Sequence, residues 1–196
     1  MKEKITECSI RLFEKKGFSE TSIQDIVDAL GVTKGTFYYY FSSKEELLMN
    51  IHNGYIDELL NQQERIIADE MKSSKEKLFE IVYALIGNIR QAGASAKVFF
   101  REIKNLNEER LSQIIPKRDR FRINLENLIR DGMENGELRS DLDASIVTFG
   151  ILGAANWSYQ WFNPEGRMSE REVAESFVEM ILNGLGQKDS NEKRRQ

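Results

Sequence analysis

The chain has 196 residues, enough for one sizeable core or for a small domain joined to a larger one, and 40% apolar with 31% charged residues excludes a disordered chain. A formal net charge of -4 excludes binding nucleic acid by bulk attraction, and residues 1–50 carry seven Lys/Arg against eight Asp/Glu. One cysteine, Cys8, and one histidine, His52, exclude an internal disulfide and a Cys/His metal cluster, so no metal and no cofactor is expected.

The opening MKEKITECSI has no apolar core of signal-peptide length, and a cytoplasmic protein is expected. Residues 2–16 place Ile5, Cys8, Leu12 and Phe13 on one helical stripe, with Gly17 where the helix stops. Cys8 reads as a small buried hydrophobe. Thr21 or Ser22 then caps a second helix, Thr21-x-x-Gln24 having capping-box spacing. Ile23, Ile26, Val27 and Leu30 form its apolar face, and Gly31 breaks it. Thr33 offers a fresh cap at once, and a short third helix runs from Lys34 towards Tyr40. Ser42 and Ser43, ahead of Glu45 and Glu46, cap a fourth start.

Two short helices around a glycine-containing turn make a helix-turn-helix, whose second helix can lie in the DNA major groove. Its residues suit the task. Val32, Phe37 and Phe41 anchor it to a core, and Tyr38 is expected to be part buried. Thr33, Lys34, Gly35 and Thr36 give a slim end that admits close approach to base edges. Lysine donates to guanine acceptors, and threonine touches a thymine methyl. Tyr39 and Tyr40 reach phosphates through their hydroxyls, and Lys44 adds charge beside a helix start.

A long helix is expected from Lys44 to about residue 70, with His52 in it as a surface or packing residue. Another fits Lys75 to Gln91, punctuated by Gly93, and a third residues 95–105. Pro116 is expected in the first turn of a helix that ends near Gly132. ENGELRSDLD reads as a loop. Asp143 caps a stretch without charge from Ala144 to Pro164, interrupted by too many polar residues for a membrane span and expected to be a buried helix. Ser169-x-x-Glu172 caps the last helix, with a stripe of Val173, Phe177, Ile181 and Leu185.

Fold class is therefore all-α. The expected layout is a three-helix helix-turn-helix domain over residues 1–45, a larger helical ligand-binding and dimerisation domain over 46–187, and a disordered tail over 188–196. Gly150, Gly153, Ala154 and Ala155 thin one side of the charge-free helix, pointing to a homodimer through the last two long helices. The aromatic residues in this part wall a pocket or fill a core. The expected ligand-binding residues are Tyr83, Phe100, Arg101, Phe121, Asn156, Trp157, Gln160 and Trp161, the amides among them needing partners if buried.

LFEKKGFSETSIQDIVDALGVTKGTFYYYFSSKEELL resembles the amino-terminal motif of the tetracycline-repressor (TetR) family, over roughly Lys4 to Ile56. The resemblance implies a transcriptional repressor that binds double-stranded operator DNA as a homodimer. By match, Thr33, Lys34, Gly35, Thr36 and Tyr39 read the groove, and Thr21, Ser22, Tyr40 and Lys44 touch the backbone. Many members have histidine where this chain has Tyr40.

The carboxy-terminal half, through FFREIKNL, PKRDRF and ILGAANWSYQWFNPEGRMSEREVAESF, is similar to a TetR branch whose members often respond to acyl-CoA thioesters. That implies a small hydrophobic effector, an acyl-CoA, and control of fatty-acid or related catabolism. Arg101, Lys104, Lys117, Arg118, Arg120 and Arg122 are the cations available for its phosphates, though not all of the last four can face one ligand. The alternative within the family is a repressor of a multidrug efflux gene. An enzyme would have to work without a recognisable catalytic spacing, and no catalytic residue is expected. A helical adaptor would not need a slim-ended reading helix.

Overall fold

The computed structural model describes residues 1–183, which form eight α-helices and one 3-10 turn. The expected tail over 188–196 and the stripe residue Leu185 lie outside them. In chain order the helices are α1 (Lys2–Lys16), α2 (Ile23–Leu30), α3 (Lys34–Tyr40), α4 (Lys44–Ile67), α5 (Ser74–Arg101), α6 (Glu108–Glu134), α7 (Ala144–Trp161) and α8 (Glu170–Asn183). The 3-10 turn, Ile103–Asn105, follows α5.

Helices α1 to α3 form a head whose core is Ile5, Phe13, Phe18, Ile26, Phe37 and Phe41, each nearly or wholly buried. Phe13 and Phe18 meet edge to face at 5.3 Å between centroids. Cys8 is buried in the same layer. Helix α4 runs out of this head into the larger bundle, where α5 lies centrally and packs against α1, α4, α6, α7 and α8.

Polar side chains fix the register between these helices. The Gln63 amide of α4 donates to the Phe121 carbonyl of α6 at 2.8 Å in a buried setting, and Asn124 donates back to Gln63 at 3.1 Å. Asn88 of α5 donates to Gln62 at 2.9 Å. Arg90 of α5 donates to Glu170 and to the Pro164 carbonyl at 2.6 Å, pinning the start of α8. Buried polar groups with partners specify one packing among many apolar alternatives.

Most helix starts follow the expected caps. Thr33, Ser43 and Asp143 accept from the backbone N–H three residues on, and Ser169 and Glu172 form a capping box. Two expectations are corrected, and one break falls where it was expected. Ser22 caps α2 in a box with Asp25, whereas Thr21 points inward. Beside Gly93 the helical run of α5 is interrupted: Ala92 leaves helical geometry (φ -136°, ψ 30°), and a second helical stretch continues across the kink to Arg101. Helix α6 starts at Glu108 under an Asn107 cap, so Pro116 lies in its interior, not its first turn. The missing N–H leaves the Ser112 carbonyl without its helical partner, and Ser112 is exposed, so water can satisfy it.

The charge-free α7 has two faces. Ala144, Thr148, Ile151, Ala155 and Ser158 are buried. Ile146, Phe149, Gly150, Gly153, Trp157 and Trp161 are exposed. Among the described residues no helix is long and apolar enough to cross a membrane.

Candidate nucleic-acid interface and effector cavity

The turn between α2 and α3 depends on Gly31, which closes α2 in the left-handed region (φ 65°, ψ 33°) where a side chain is strained. The Val32 N–H donates to the Val27 carbonyl at 3.0 Å, and Thr33 opens α3 one residue later. The reading helix is thus set by two backbone devices within three residues. Its Phe37 is fully buried, and Phe41, which closes it, is 1% exposed. That turns Lys34, Gly35 and Tyr39 outward, with Tyr39 81% exposed and edge-on to Tyr40 at 4.8 Å. Thr33 accepts from the Thr36 N–H at 3.3 Å, leaving a narrow end. Tyr38 is 53% exposed, its ring edge-on to Phe37 at 5.6 Å, while Phe37 and Phe41 are buried and Tyr40 packs partly against the core.

Other expected contacts behave differently. Ser22 is exposed, its N–H on the Asp25 carboxylate at 2.7 Å. Hydrogen bonds from the Ser22 hydroxyl and N–H, with Lys16 nearby, hold the Asp25 carboxyl down to about 2. Thr21 is fully buried and donates to the Gly17 carbonyl at 2.7 Å. The Lys44 ammonium donates to the Phe18 and Thr21 carbonyls, both at 2.7 Å, and lies 4.3 Å from the Phe18 ring centroid. Thr21 and Lys44 therefore stitch the α1–α2 connection to the start of α4, and the Thr21 side chain is not presented to a phosphate.

In the bundle a cavity of about 640 Å3 opens between α4, α5, α6 and α7. Ile56 and Leu59 of α4, and Leu85, Phe99 and Phe100 of α5, form its inner wall. Helix α6 contributes Ile115, Arg118, Asp119, Phe121 and Arg122. Helix α7 contributes Phe149, Leu152, Gly153, Asn156, Trp157 and Tyr159. An apolar wall with a few polar groups at this size suits a small organic ligand.

Of the expected ligand residues, Phe100, Phe121, Asn156 and Trp157 line the cavity. Four do not. Tyr83 stacks on Phe79 at 6.0 Å, and Arg101 is exposed at the end of α5. Gln160 donates to the Tyr159 hydroxyl at 2.8 Å, and Trp161 packs on Phe162 and Phe177. Tyr159, stacked on Phe100 at 4.9 Å, was not expected. The four-residue spacing of Arg118 and Arg122 was the available signal for the cavity's cations.

The six candidate cations separate sharply. Lys117 is held by Asp57 at 2.7 Å and Asn53 at 2.7 Å, and Arg120 by Glu64 at 2.6 Å. Arg101 and Lys104 do not line the cavity. Arg122 donates to Glu126 at 3.0 Å and lies over Phe149. Arg118 lies 5.6 Å from the Phe99 centroid, and desolvation lowers the pKa of its guanidinium. Behind the wall, His52 is fully buried with neither ring nitrogen hydrogen-bonded, 5.1 Å from Phe99. Burial, and then the Arg118 charge, push its pKa down to about 4, so it is neutral at pH 7.

A helix-turn-helix head with its reading helix outward, joined by one long helix to a bundle with a cavity, defines a ligand-responsive DNA-binding regulator. Residues 5–51 match the family described as bacterial regulatory proteins of the tetR family, and residues 71–185 the tetracyclin repressor-like C-terminal domain. The chain belongs to the TetR family of DNA-binding transcriptional repressors.

It is 27% identical over 183 residues to the HTH-type transcriptional repressor KstR2 of Rhodococcus jostii RHA1, covering 92% of this chain and 89% of that one. It superposes on the TetR family regulator PfmR of Thermus thermophilus with a TM-score of 0.87 and 32% identity, over 93% and 99% of the two chains. AibR, solved with isovaleryl coenzyme A and operator DNA, superposes with a TM-score of 0.83 and 26% identity, over 92% and 97%. TetR regulators bind operator DNA as dimers.

Proposed function

We propose that this repressor works in the cytoplasm and is released from its operator by an acyl-CoA bound in the cavity between α4 and α7. One observation carries the reading: the helix that lines the cavity with Phe121 and Arg118 is tied through buried hydrogen bonds to α4, which carries the reading head. AibR supports the effector class, since it was solved with an acyl-CoA.

Lys34, Thr33, Gly35, Thr36 and Tyr39 approach the bases, with Tyr40 and Ser22 on flanking phosphates. Lys44 acts from within, holding the head on α4. Asn156, Phe100, Phe121 and Trp157 hold the acyl portion, and Arg118 meets an anionic group of the effector. Two protomers pair through α7 and α8, setting their reading helices for successive turns of the major groove, ~34–36 Å apart.

Effector binding shifts α6, and α4 follows because Gln63 and Lys117 bridge the two helices. The effector acts only to the extent that it prefers the shifted form; tenfold is ~1.4 kcal/mol. Titrating the protein with lauroyl-CoA while it sits on labelled operator tests this. Dissociation of the DNA is the expected result, and tight lauroyl-CoA binding with unchanged operator affinity would contradict the coupling.

A further inference from the structure

His52, the one histidine of the chain, is wholly buried, and no group among the described residues hydrogen-bonds to either ring nitrogen. Such unmade hydrogen bonds inside a protein cost free energy that an apolar side chain of similar size would not incur. A buried polar group without a partner calls for a reason beyond packing.

Its place in the fold supplies one. Ile56 and Leu59, four and seven residues after His52, lie on the same face of α4 and line the effector cavity. The imidazole extends that face by one turn towards the reading head. Phe99 closes the cavity there, since its ring lines the cavity and lies 5.1 Å from the imidazole between centroids. Tyr55 and Phe100 pack on Phe99 at 4.9 Å and 5.2 Å, and the Arg118 guanidinium lies 5.6 Å from its centroid. One aromatic ring thus stands between an unpaired imidazole and a cavity of about 640 Å3.

The geometry points to a polar subsite at this end of the cavity: Phe99 turns aside, and His52 hydrogen-bonds a hydroxyl carried on the acyl chain of the effector. The inference rests on the acyl-CoA reading above and narrows it, from any chain that fits to one that is hydroxylated.

The chemistry of the ring selects the hydroxyl. Neutral at pH 7, imidazole offers one N–H donor and one nitrogen acceptor. A hydroxyl can serve either, a carbonyl only accepts, and a saturated chain leaves both nitrogens unpaired. A site that hydrogen-bonds a ligand hydroxyl rejects the analogue that lacks it, because its own buried polar group is then left without a partner. Phe99 stands in the last turn of α5, so rotation of its side chain leaves the long run of that helix undisturbed.

Calorimetric titration of the full chain with lauroyl-CoA, 3-hydroxylauroyl-CoA and 12-hydroxylauroyl-CoA tests this. Two positions are used because only a hydroxyl level with Phe99 reaches the ring. Wild type is expected to bind one hydroxylated chain about tenfold or more tightly than lauroyl-CoA. In His52→Leu, checked for fold by circular dichroism, that preference falls below about threefold. Because His52 is the only histidine, its ring also gives the only imidazole signals in a 15N spectrum. The preferred chain shifts those signals, and lauroyl-CoA shifts them less. Equal affinity of wild type for all three, or a preference that survives in His52→Leu, overturns the inference and leaves the effector reading standing. Absence of wild-type binding to all three overturns the effector reading and the inference with it. If His52→Leu does not fold or binds none of them, the wild-type 15N signals decide alone. A shift no larger with the hydroxylated chains than with lauroyl-CoA then overturns the subsite.

Discussion

Lys34 and Lys44 are both lysines near helix starts in the reading head, yet their surroundings separate them. Lys34 is exposed on the outer face of α3, whereas the Lys44 ammonium spans two backbone carbonyls and an aromatic face. Lys44→Met leaves both carbonyls short of a charge-assisted partner, and a loss of roughly 1–2 kcal/mol in unfolding free energy is expected. The salt dependence of its operator binding stays near wild type, while Lys34→Ala, which removes a base contact, weakens operator binding by ~1–3 kcal/mol and narrows the preference over scrambled DNA. A salt slope lowered by about one in Lys44→Met would instead make Lys44 a phosphate contact. The sequence shows the two residue types and their places; only the fold shows that Lys44 is already engaged.

His52 gives a second test at this scale. Its pKa falls from the usual 6.5 to about 4 in the folded chain. Below pH 6.5 the unfolded chain takes up a proton that the folded chain refuses, so stability is lost as pH falls from about 6.5 towards 4. The full effect is roughly 3 kcal/mol. It is the only histidine, and ordinary carboxylates titrate lower, so urea unfolding at pH 7 and pH 5 isolates it. Wild type is expected to lose stability between them, and His52→Leu to lose little. An equal loss in both would place the cause elsewhere.

At the scale of elements, the end of α6 is a close contact. A Cβ at Gly132 would lie 2.8 Å from Leu138 Cδ1 and 2.9 Å from Ser74 Cβ. Helix propensity favours Gly132→Ala by up to about 1 kcal/mol, but overpacking costs about 1–3 kcal/mol. Leu138 can swing aside, whereas Ser74 is fixed at the start of α5 by the Glu137 carboxylate on its N–H. A net loss is expected in the urea midpoint of Gly132→Ala, and a gain would show that α5 and α6 separate easily there.

Capping is where the sequence was most legible. Thr33, Ser43, Asp143 and Ser169 are local signals, each acting within three residues of itself. Long-range packing decides the rest. Pro116 inside α6 breaks a local rule, and the cost is met by the burial of Ile114, Phe121 and Leu125 on the same helix. The bend at Ala92 has no signal in the sequence beyond its neighbour Gly93.

For the whole molecule, the reading head could be derived from spacing and residue type, because its chemistry is contained in about twenty consecutive residues. The cavity could not, since its walls come from four helices spread over about a hundred residues. That is why Phe100, Phe121, Asn156 and Trp157 line the cavity while Tyr83 and Trp161, equally aromatic, belong to other contacts. Arg118 was one of six cations in sequence, and pairing in the fold removes Lys117 and Arg120 from the choice.

The most direct test of an effector-released repressor is fluorescence anisotropy on DNA from upstream of its own gene, or on a fragment selected from the genome. Wild type and Lys34→Ala are compared at fixed salt, with scrambled DNA as control, before and after lauroyl-CoA. Selective binding by wild type, lost in a folded Lys34→Ala protein and reversed by lauroyl-CoA, is the expected result. Binding that Lys34→Ala leaves intact and lauroyl-CoA leaves untouched would contradict both the reading helix and the cavity as the working parts.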